Sequence, residues 1–469
     1  MDKIKDKIAI IGFGASGFGT YLGLKEKGFK KIYIYNQAPY KKEINVNEWT
    51  SENLKRNYKY LKNKLGILNV ANSKTYFGKV LRTINYKNLK IYDNQISGGL
   101  LNFWGGVLQK FDKKTLNSCL QINDLDEYYL KVSKNIPISQ IVHEKSDKNI
   151  YANQQNIRCQ SYIEEIDESI NQHSSEIIKK DTVIAISRND KHENCNCFIG
   201  CLKHKFFNTN NINLDNNVTF INEEVKKIDF EKNLIISNYS TQAFDKIFLN
   251  TGPYYDQKIL IKSLENTQSS IRVKDSSSFT FPIFFRGEIN KNKVDFNLTN
   301  YVFDIKDKDL TLGQAQIYPP IDHINRAIFP NFLWNKFNFL KNISINRLLW
   351  VRCYLNDEYS EIKEFHGNEQ IQNIKNDGIK KIQNLVFKII KKNIKSANFL
   401  PINLFINSKT SSHYAGDKKY IEKNILNQTE NHYKKKIIFN DSLLWENLPS
   451  ESPTFTIMAN AFRNTDLYL

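Results

Sequence analysis

Apolar positions along the chain fall into short runs rather than long stripes. Ile8, Ala9, Ile10 and Ile11 form a run of the kind a buried parallel strand shows. Gly12-Phe13-Gly14-Ala15-Ser16-Gly17 interrupts it. A helical stretch follows through Tyr21, Leu22 and Leu24 and stops near Gly28. Ile32 and Ile34, with tyrosines beside them, then mark a second strand. This order predicts a βαβ unit with its glycines at the first turn. Further on, 218–221 reads as a strand, 225–236 as a hairpin, and 246–249 as a buried strand ending at Asn250-Thr251-Gly252. Strand-like segments recur at 279–285, 301–305, 313–318 and 348–355. Helical spacing appears at 375–393, with Ile379, Ile382, Val386, Ile389 and Ile390 on one side, and again at 454–467. No repeat and no Pro- or Gly-rich linker divides these elements, so the units are expected to interleave along the chain. The pattern as a whole predicts an α/β fold, α+β overall.

Composition narrows the class. The 469 residues allow two or three domains, and 41% hydrophobic with 13% aromatic residues can fill their cores. No apolar run approaches the roughly 18 residues that span a bilayer. The opening MDKIKDK is charged and runs straight into the first strand, without the apolar segment of a secretory leader. Six cysteines are too few for a disulfide scaffold. Together these predict a cytoplasmic protein. The net charge of +18 is spread over scattered lysines with acids among them. No dense basic block with interleaved aromatics is present, so a solvated surface is expected and nucleic acid is not an expected partner.

The glycine turn carries the first chemistry. In Gly-x-Gly-x-x-Gly the first glycine permits the turn, the second lets a pyrophosphate approach the backbone, and the third lets helix and strand pack closely. The helix N-terminus faces the anion. The acidic residue that usually holds the ribose, about 20 residues on, is here Asn36, whose amide can hydrogen-bond without charge assistance. A second signature is Ser97-Gly98-Gly99-Leu100-Leu101-Asn102-Phe103-Trp104-Gly105-Gly106, in which paired glycines let backbone lie against a flat or anionic group. A third closes the chain, with Asp441-Ser442 followed by Ser452-Pro453-Thr454, where Pro453 and Thr454 start a helix with its positive dipole end outward. Upstream lies Ser411-Ser412-His413-Tyr414-Ala415-Gly416.

In this order the pieces resemble the glucose–methanol–choline (GMC) flavin oxidoreductases, and look closest to bacterial members found among surface-polysaccharide genes. The resemblance spans the chain, more loosely over 110–215 and 270–400. It implies FAD as cofactor, bound by a Rossmann-like, discontinuous domain of residues 1–110, 215–268 and 402–469. A second domain on an antiparallel sheet, 270–400, would cover the flavin, and 111–214 would form a helical, Cys-containing insertion. By position, Gly12, Gly14 and Gly17, with Ser16 in the same turn, would hold the pyrophosphate. Gly98, Gly99, Asn102, Trp104 and Gly105 would lie along the phosphates and flavin. Asn36 and Val225 would meet the adenosine, Gly252 would cap a strand near the cofactor, and Asp441, Pro453 and Thr454 would contact the flavin end.

The family oxidises an alcohol by moving hydride to flavin N5 while a base takes the hydroxyl proton. His413 matches that base, and imidazole suits the role near neutral pH. Without the resemblance, His413 would read as a surface loop histidine. The partner residue, usually His or Asn, is here Ser452, and the usual Gly-Thr after the histidine turn is Gly416-Asp417. The expected substrate is an alcohol on a small molecule, sugar or glycoconjugate, with an unassigned electron acceptor. Two alternatives stay open: a redox-neutral flavin-dependent epimerase or isomerase, and a flavin-binding protein of impaired catalysis. Cys195, Cys197, Cys201 and His204 lack the usual metal-knuckle spacing, so reduced structural thiols are expected and no metal. The aromatic stretch 329–340 reads as a lid or core segment, or else as a peripheral contact with an anionic membrane.

Overall fold

A computed structural model describes residues 6–37, 81–142, 154–186, 207–287, 299–320, 347–394, 398–426 and 437–469. Short breaks fall within these spans at 87–88, 95–97, 103, 159–160, 174, 210–211, 266–268, 367–368, 375–377, 408–410 and 412. The cysteine cluster and the aromatic stretch lie outside the described residues, as does the side chain of Asn102.

The first unit is built on a five-stranded parallel sheet. Strand β1 (Lys7–Ile11) is central, with β2 (Lys31–Tyr35) and Val218–Ile221 on one side and Lys246–Leu249 and Ile437–Phe439 on the other. Helix α1 (Ala15–Glu26) makes the crossover from β1 to β2. Both faces of β1 are covered, which explains its unbroken apolar run: Ile8 and Ile10 enter one core, Ala9 and Ile11 the other. Beside this sheet, Val225–Asp229, Leu234–Ser237 and Thr241–Ala243 form an antiparallel trio; the sequence pattern foresees the hairpin and misses its third strand.

The second unit is antiparallel. Ser278–Phe285, Leu348–Leu355, Leu310–Tyr318 and Tyr301–Asp307 are adjacent strands of a seven-stranded sheet. Phe279, Phe281 and Ile283 from its first strand meet Val386, Phe387 and Ile390 from the helix Ile379–Asn393. That helix starts after Gly378, later than its apolar spacing suggests. A smaller sheet joins Ile271–Asp275 to Glu361–His366 on one side and Tyr414–Gly416 on the other.

The stretch 111–214 divides its described side chains between the two cores. Leu116, Tyr129 and Phe207 pack with the parallel sheet, whereas Tyr162, Ile163 and Ile166 pack with the antiparallel one. Ile177–Lys180 pairs with Tyr301–Asp307. No described helix is long and apolar enough to cross a membrane.

The last helix, Thr454–Tyr468, crosses α1 with backbones in close approach. A Cβ at Gly19 would sit 2.1 Å from the Met458 carbonyl oxygen, a contact only glycine avoids. Buried amides lock the crossing. Asn440 Nδ2 donates to Thr20 Oγ1 at 2.8 Å, Thr20 Oγ1 donates to Asn250 Oδ1 at 3.1 Å, and Asn464 Nδ2 donates to Asn440 Oδ1 at 2.9 Å. Each bond joins residues distant in sequence, and together they tie the end of Lys246–Leu249 to both helices.

Candidate active site

Parallel pairing brings the carboxyl ends of β1, β2 and Lys246–Leu249 out on one sheet edge. Doubly wound sheets hold ligands outside that edge. A cleft of about 350 Å³ opens there, within the range of small-molecule sites. Its floor is the glycine turn. Gly12 has φ +90°, and a Cβ there would lie 2.6 Å from the Asn250 carbonyl oxygen. Helix α1 starts at Ala15 with no side-chain cap and no acid in its first turn, so its first N–H groups are open to an anion. Opposite stands the second turn, with Gly98 and Gly99 at φ +95° and +52°. The Gly98 N–H donates to the Phe13 carbonyl at 3.1 Å, which holds the two turns together. Trp104 is pinned beside them by its Nε1 donating to the Phe207 carbonyl at 3.1 Å.

Asn36 lies on the cleft wall at the end of β2, with Val225. Carboxylates reach this end from the segment after Val218–Ile221 instead of from β2. Glu224 pairs with Lys226 at 2.6 Å and accepts from Gln37 Nε2 at 3.1 Å. Glu223 accepts from Ser240 Oγ at 2.6 Å and from Ser237 Oγ, and those hydroxyls hold it below the usual carboxylate range.

Asp441 lines the cleft and accepts from the Leu443 N–H at 2.7 Å. Behind it, fully buried Asp256 accepts from the Thr251 N–H at 2.9 Å and from the Thr251 hydroxyl. The remaining oxygen of each carboxyl has no donor among the described residues, and the two groups meet. Burial pushes both above the usual carboxylate range, and the neighbouring Asp441 pushes Asp256 further. Two buried carboxyls in contact resist ionising together.

His413 also lines the cleft and is partly exposed. Its ring stacks on Tyr354, with centroids 4.4 Å apart and an interplanar angle of 13°. Its Nδ1 has no partner among the described residues. The backbone that presents it is held from below. The His413 N–H donates to Ser411 Oγ at 2.9 Å, and Ser411 donates from both N–H (3.0 Å) and Oγ (2.6 Å) to Asp275 Oδ1. Asp275 is in turn bonded to the fully buried ammonium of Lys363. Desolvation, and then the Arg352 guanidinium nearby, push the imidazole down to about 3, so it is a neutral proton acceptor at pH 7.

Of the residues singled out from sequence, Gly12, Gly14, Ser16, Asn36, Gly99, Trp104, Gly105, Val225, Gly252, His413, Asp441, Ser452, Pro453 and Thr454 all line this one cleft. Ser452 is buried, its N–H donating to Gln109 Oε1 at 3.3 Å. Gly17 lies behind the wall, where a Cβ would come 2.2 Å from the Gly12 carbonyl oxygen. Gly98 is buried in the turn that carries Gly99, and Asn102 contributes backbone at the end of that turn. Sequence reasoning missed Gln316, Arg352, Tyr354 and Asp256. Arg352 did leave a signal, as the one charge in the apolar strand LLWVRCYL. Asp256 left none, because an acid in the first turn of a helix is ordinary.

The overall architecture is shared with solved structures at low identity. Pyridoxine 4-oxidase from Mesorbium loti matches with a TM-score of 0.58 and 10% identity, covering 99% of each chain. The R554K variant of formate oxidase from Aspergillus oryzae RIB40 matches at 0.59 and 10%, over 99% of this chain and 98% of that one. An FAD-dependent oxidoreductase from Chaetomium thermophilum matches at 0.57 and 12%, over 99% of each. No protein-family model matches the chain, and no curated protein matches it. At these identities the likeness establishes the fold, a mixed α/β architecture over essentially the whole length.

Proposed function

We propose that this chain is an FAD-dependent oxidoreductase of the GMC type, oxidising an alcohol on a sugar or sugar conjugate. The observation that carries the reading is the convergence of two glycine turns, a helix N-terminus and a neutral histidine on one cleft. The residues fit the cofactor on their own chemistry. The φ +90° turn at Gly12 and the facing turn at Gly98 and Gly99 leave room for a pyrophosphate beside open N–H groups. Asn36 and Val225 stand where the adenosine would lie. Asn250, whose buried Nδ2 has no partner among the described residues, and Asp441 add polar groups to the cleft lining. FAD, when bound, supplies the acceptor for a hydride from the alcohol carbon.

The protein's own part is to position the alcohol and take its proton. His413 accepts the hydroxyl proton, the alcohol carbon loses hydride, and a carbonyl product results. Stacking on Tyr354 and the Ser411–Asp275 anchor hold the ring in place, so little reorganisation is needed when the proton moves. Ser452 presents a short hydroxyl near the start of the last helix and orients the substrate oxygen.

The test is anaerobic titration of the flavin-loaded protein with a panel of sugars, sugar acids and simple alcohols. The reading expects at least one to bleach the flavin, with one carbonyl product formed per flavin reduced. Epimerised sugar without net bleaching would replace it by the isomerase reading. Bound flavin that no member bleaches would leave a binding protein without turnover.

A further inference from the structure

Arg352 is the feature of the cleft that alcohol oxidation leaves unexplained. Its strand, Leu348–Leu355, is buried along almost its whole length, and Arg352 is the only charge in it. In register it faces Thr280 on one neighbouring strand and Gln316 on the other, both buried. The guanidinium lies over the Tyr354 ring at 4.9 Å and donates from Nη2 to the Ser411 carbonyl at 3.3 Å. Its Nε has no partner, and no carboxylate pairs with it among the described residues. Asp275, which anchors Ser411, is already bonded to Lys363 and Ser411.

The surrounding groups are donors too. Tyr318 and Thr299 both donate to Gln316 Oε1, at 2.8 and 3.2 Å, which leaves the Gln316 amide NH2 for the cleft. Carboxylates do line the cleft, but Glu223 and Glu224 stand at the Asn36 end and Asp441 is engaged with Asp256. A cation held beside the base without a counter-ion is costly, because it opposes the proton transfer that His413 performs. An anion arriving with the substrate would remove that cost.

We propose that the substrate carries an oxyanion, a carboxylate or phosphate, which pairs with Arg352 and receives a hydrogen bond from Gln316 while its hydroxyl faces His413. This inference rests on the alcohol-oxidising reading and names its substrate class. The planar guanidinium fork matches two oxygens at once, which an ammonium does not. Pairing across Arg352 would fix which hydroxyl of a polyol reaches His413, making Arg352 a determinant of regiochemistry as well as affinity.

Calorimetry with three small alcohols tests this: glycolate, 2-hydroxyethyl phosphate and ethylene glycol, added to wild type and to Arg352→Gln and Arg352→Lys proteins. Wild type is expected to bind one of the two anions at least about tenfold more tightly than ethylene glycol. Which anion wins identifies the source of the oxyanion. Arg352→Gln should weaken the anion by on the order of 30-fold and leave ethylene glycol nearly unchanged, whereas Arg352→Lys should restore part of the preference. Equal binding of all three, or equal weakening of anion and diol in Arg352→Gln, would overturn the proposal. The flavin spectrum, recorded before any ligand is added, reports separately on the cofactor. Heats of anion binding are measured whether or not flavin is present.

Discussion

Replacing His413 by alanine is expected to slow anaerobic flavin reduction by roughly 10²–10⁴-fold, the usual contribution of a positioned general base. The flavin itself should stay bound, because the bond that joins the two glycine turns, from the Gly98 N–H to the Phe13 carbonyl, does not involve His413. The pH dependence follows from the same side chain. Its pKa lies at about 3 in the folded protein, below the ordinary value for histidine. The imidazole therefore stays neutral on acidification, and the reduction rate should show no acidic limb from this group between about pH 8 and pH 5. Buried Glu451, next to Ser452, is the group to separate from it, since burial and nearby Asp304 push its carboxyl up to about 7. An inflection near neutrality should vanish in Glu451→Gln and persist in His413→Ala. For stability the sign is equally defined. Below the unfolded histidine value, near 6.5, only the unfolded chain gains this proton, so the contribution of His413 falls as pH drops toward 3.

The second large effect concerns the pair beneath the histidine. Lys363 is fully buried and Asp275 nearly so, and Ser411 reaches Asp275 with two donors. Lys363→Met should destabilise the protein by about 3–5 kcal/mol, because it strands a buried carboxylate. Asp275→Asn combined with Lys363→Met removes both charges and should recover most of that loss in urea unfolding. The double variant still keeps an oxygen for Ser411, so its histidine loop should remain in place and its reduction rate should recover with its stability. If Lys363→Met unfolds at the wild-type urea concentration, the pair is not the anchor described here.

These two sites differ in how well the linear chain announces them. The parallel sheet is legible because β1 is covered on both faces, so its side chains form an unbroken apolar run. The glycine turn is legible because its three glycines, Gly12, Gly14 and Gly17, lie within six consecutive residues, and Gly12 sits at φ +90°. The strands from Ser278 to Leu355 are legible for the same reason, being rich in buried aromatic and branched side chains. The anchor is not legible. Asp275 and Lys363 lie on neighbouring strands 88 residues apart, and each reads alone as a solvated charge. Their burial follows from the pairing of Ile271–Asp275 with Glu361–His366, which no local pattern encodes. The Asp256–Asp441 pair is hidden likewise, since its partners meet only when the helix Pro253–Ser263 packs against the closing segment. The division of 111–214 between two cores escapes notice because its helices are amphipathic in the ordinary way, and that pattern does not say which sheet receives them.

The measurement that bears most directly on the account is the cofactor content of the purified 469-residue chain. The two glycine turns, the open start of α1 and the cleft-facing Asp441 predict a yellow protein that releases one FAD per chain on denaturation, and a colourless preparation should take up FAD to that ratio. A protein that folds with intact secondary structure, is colourless, and fails to take up FAD at micromolar concentrations would contradict it.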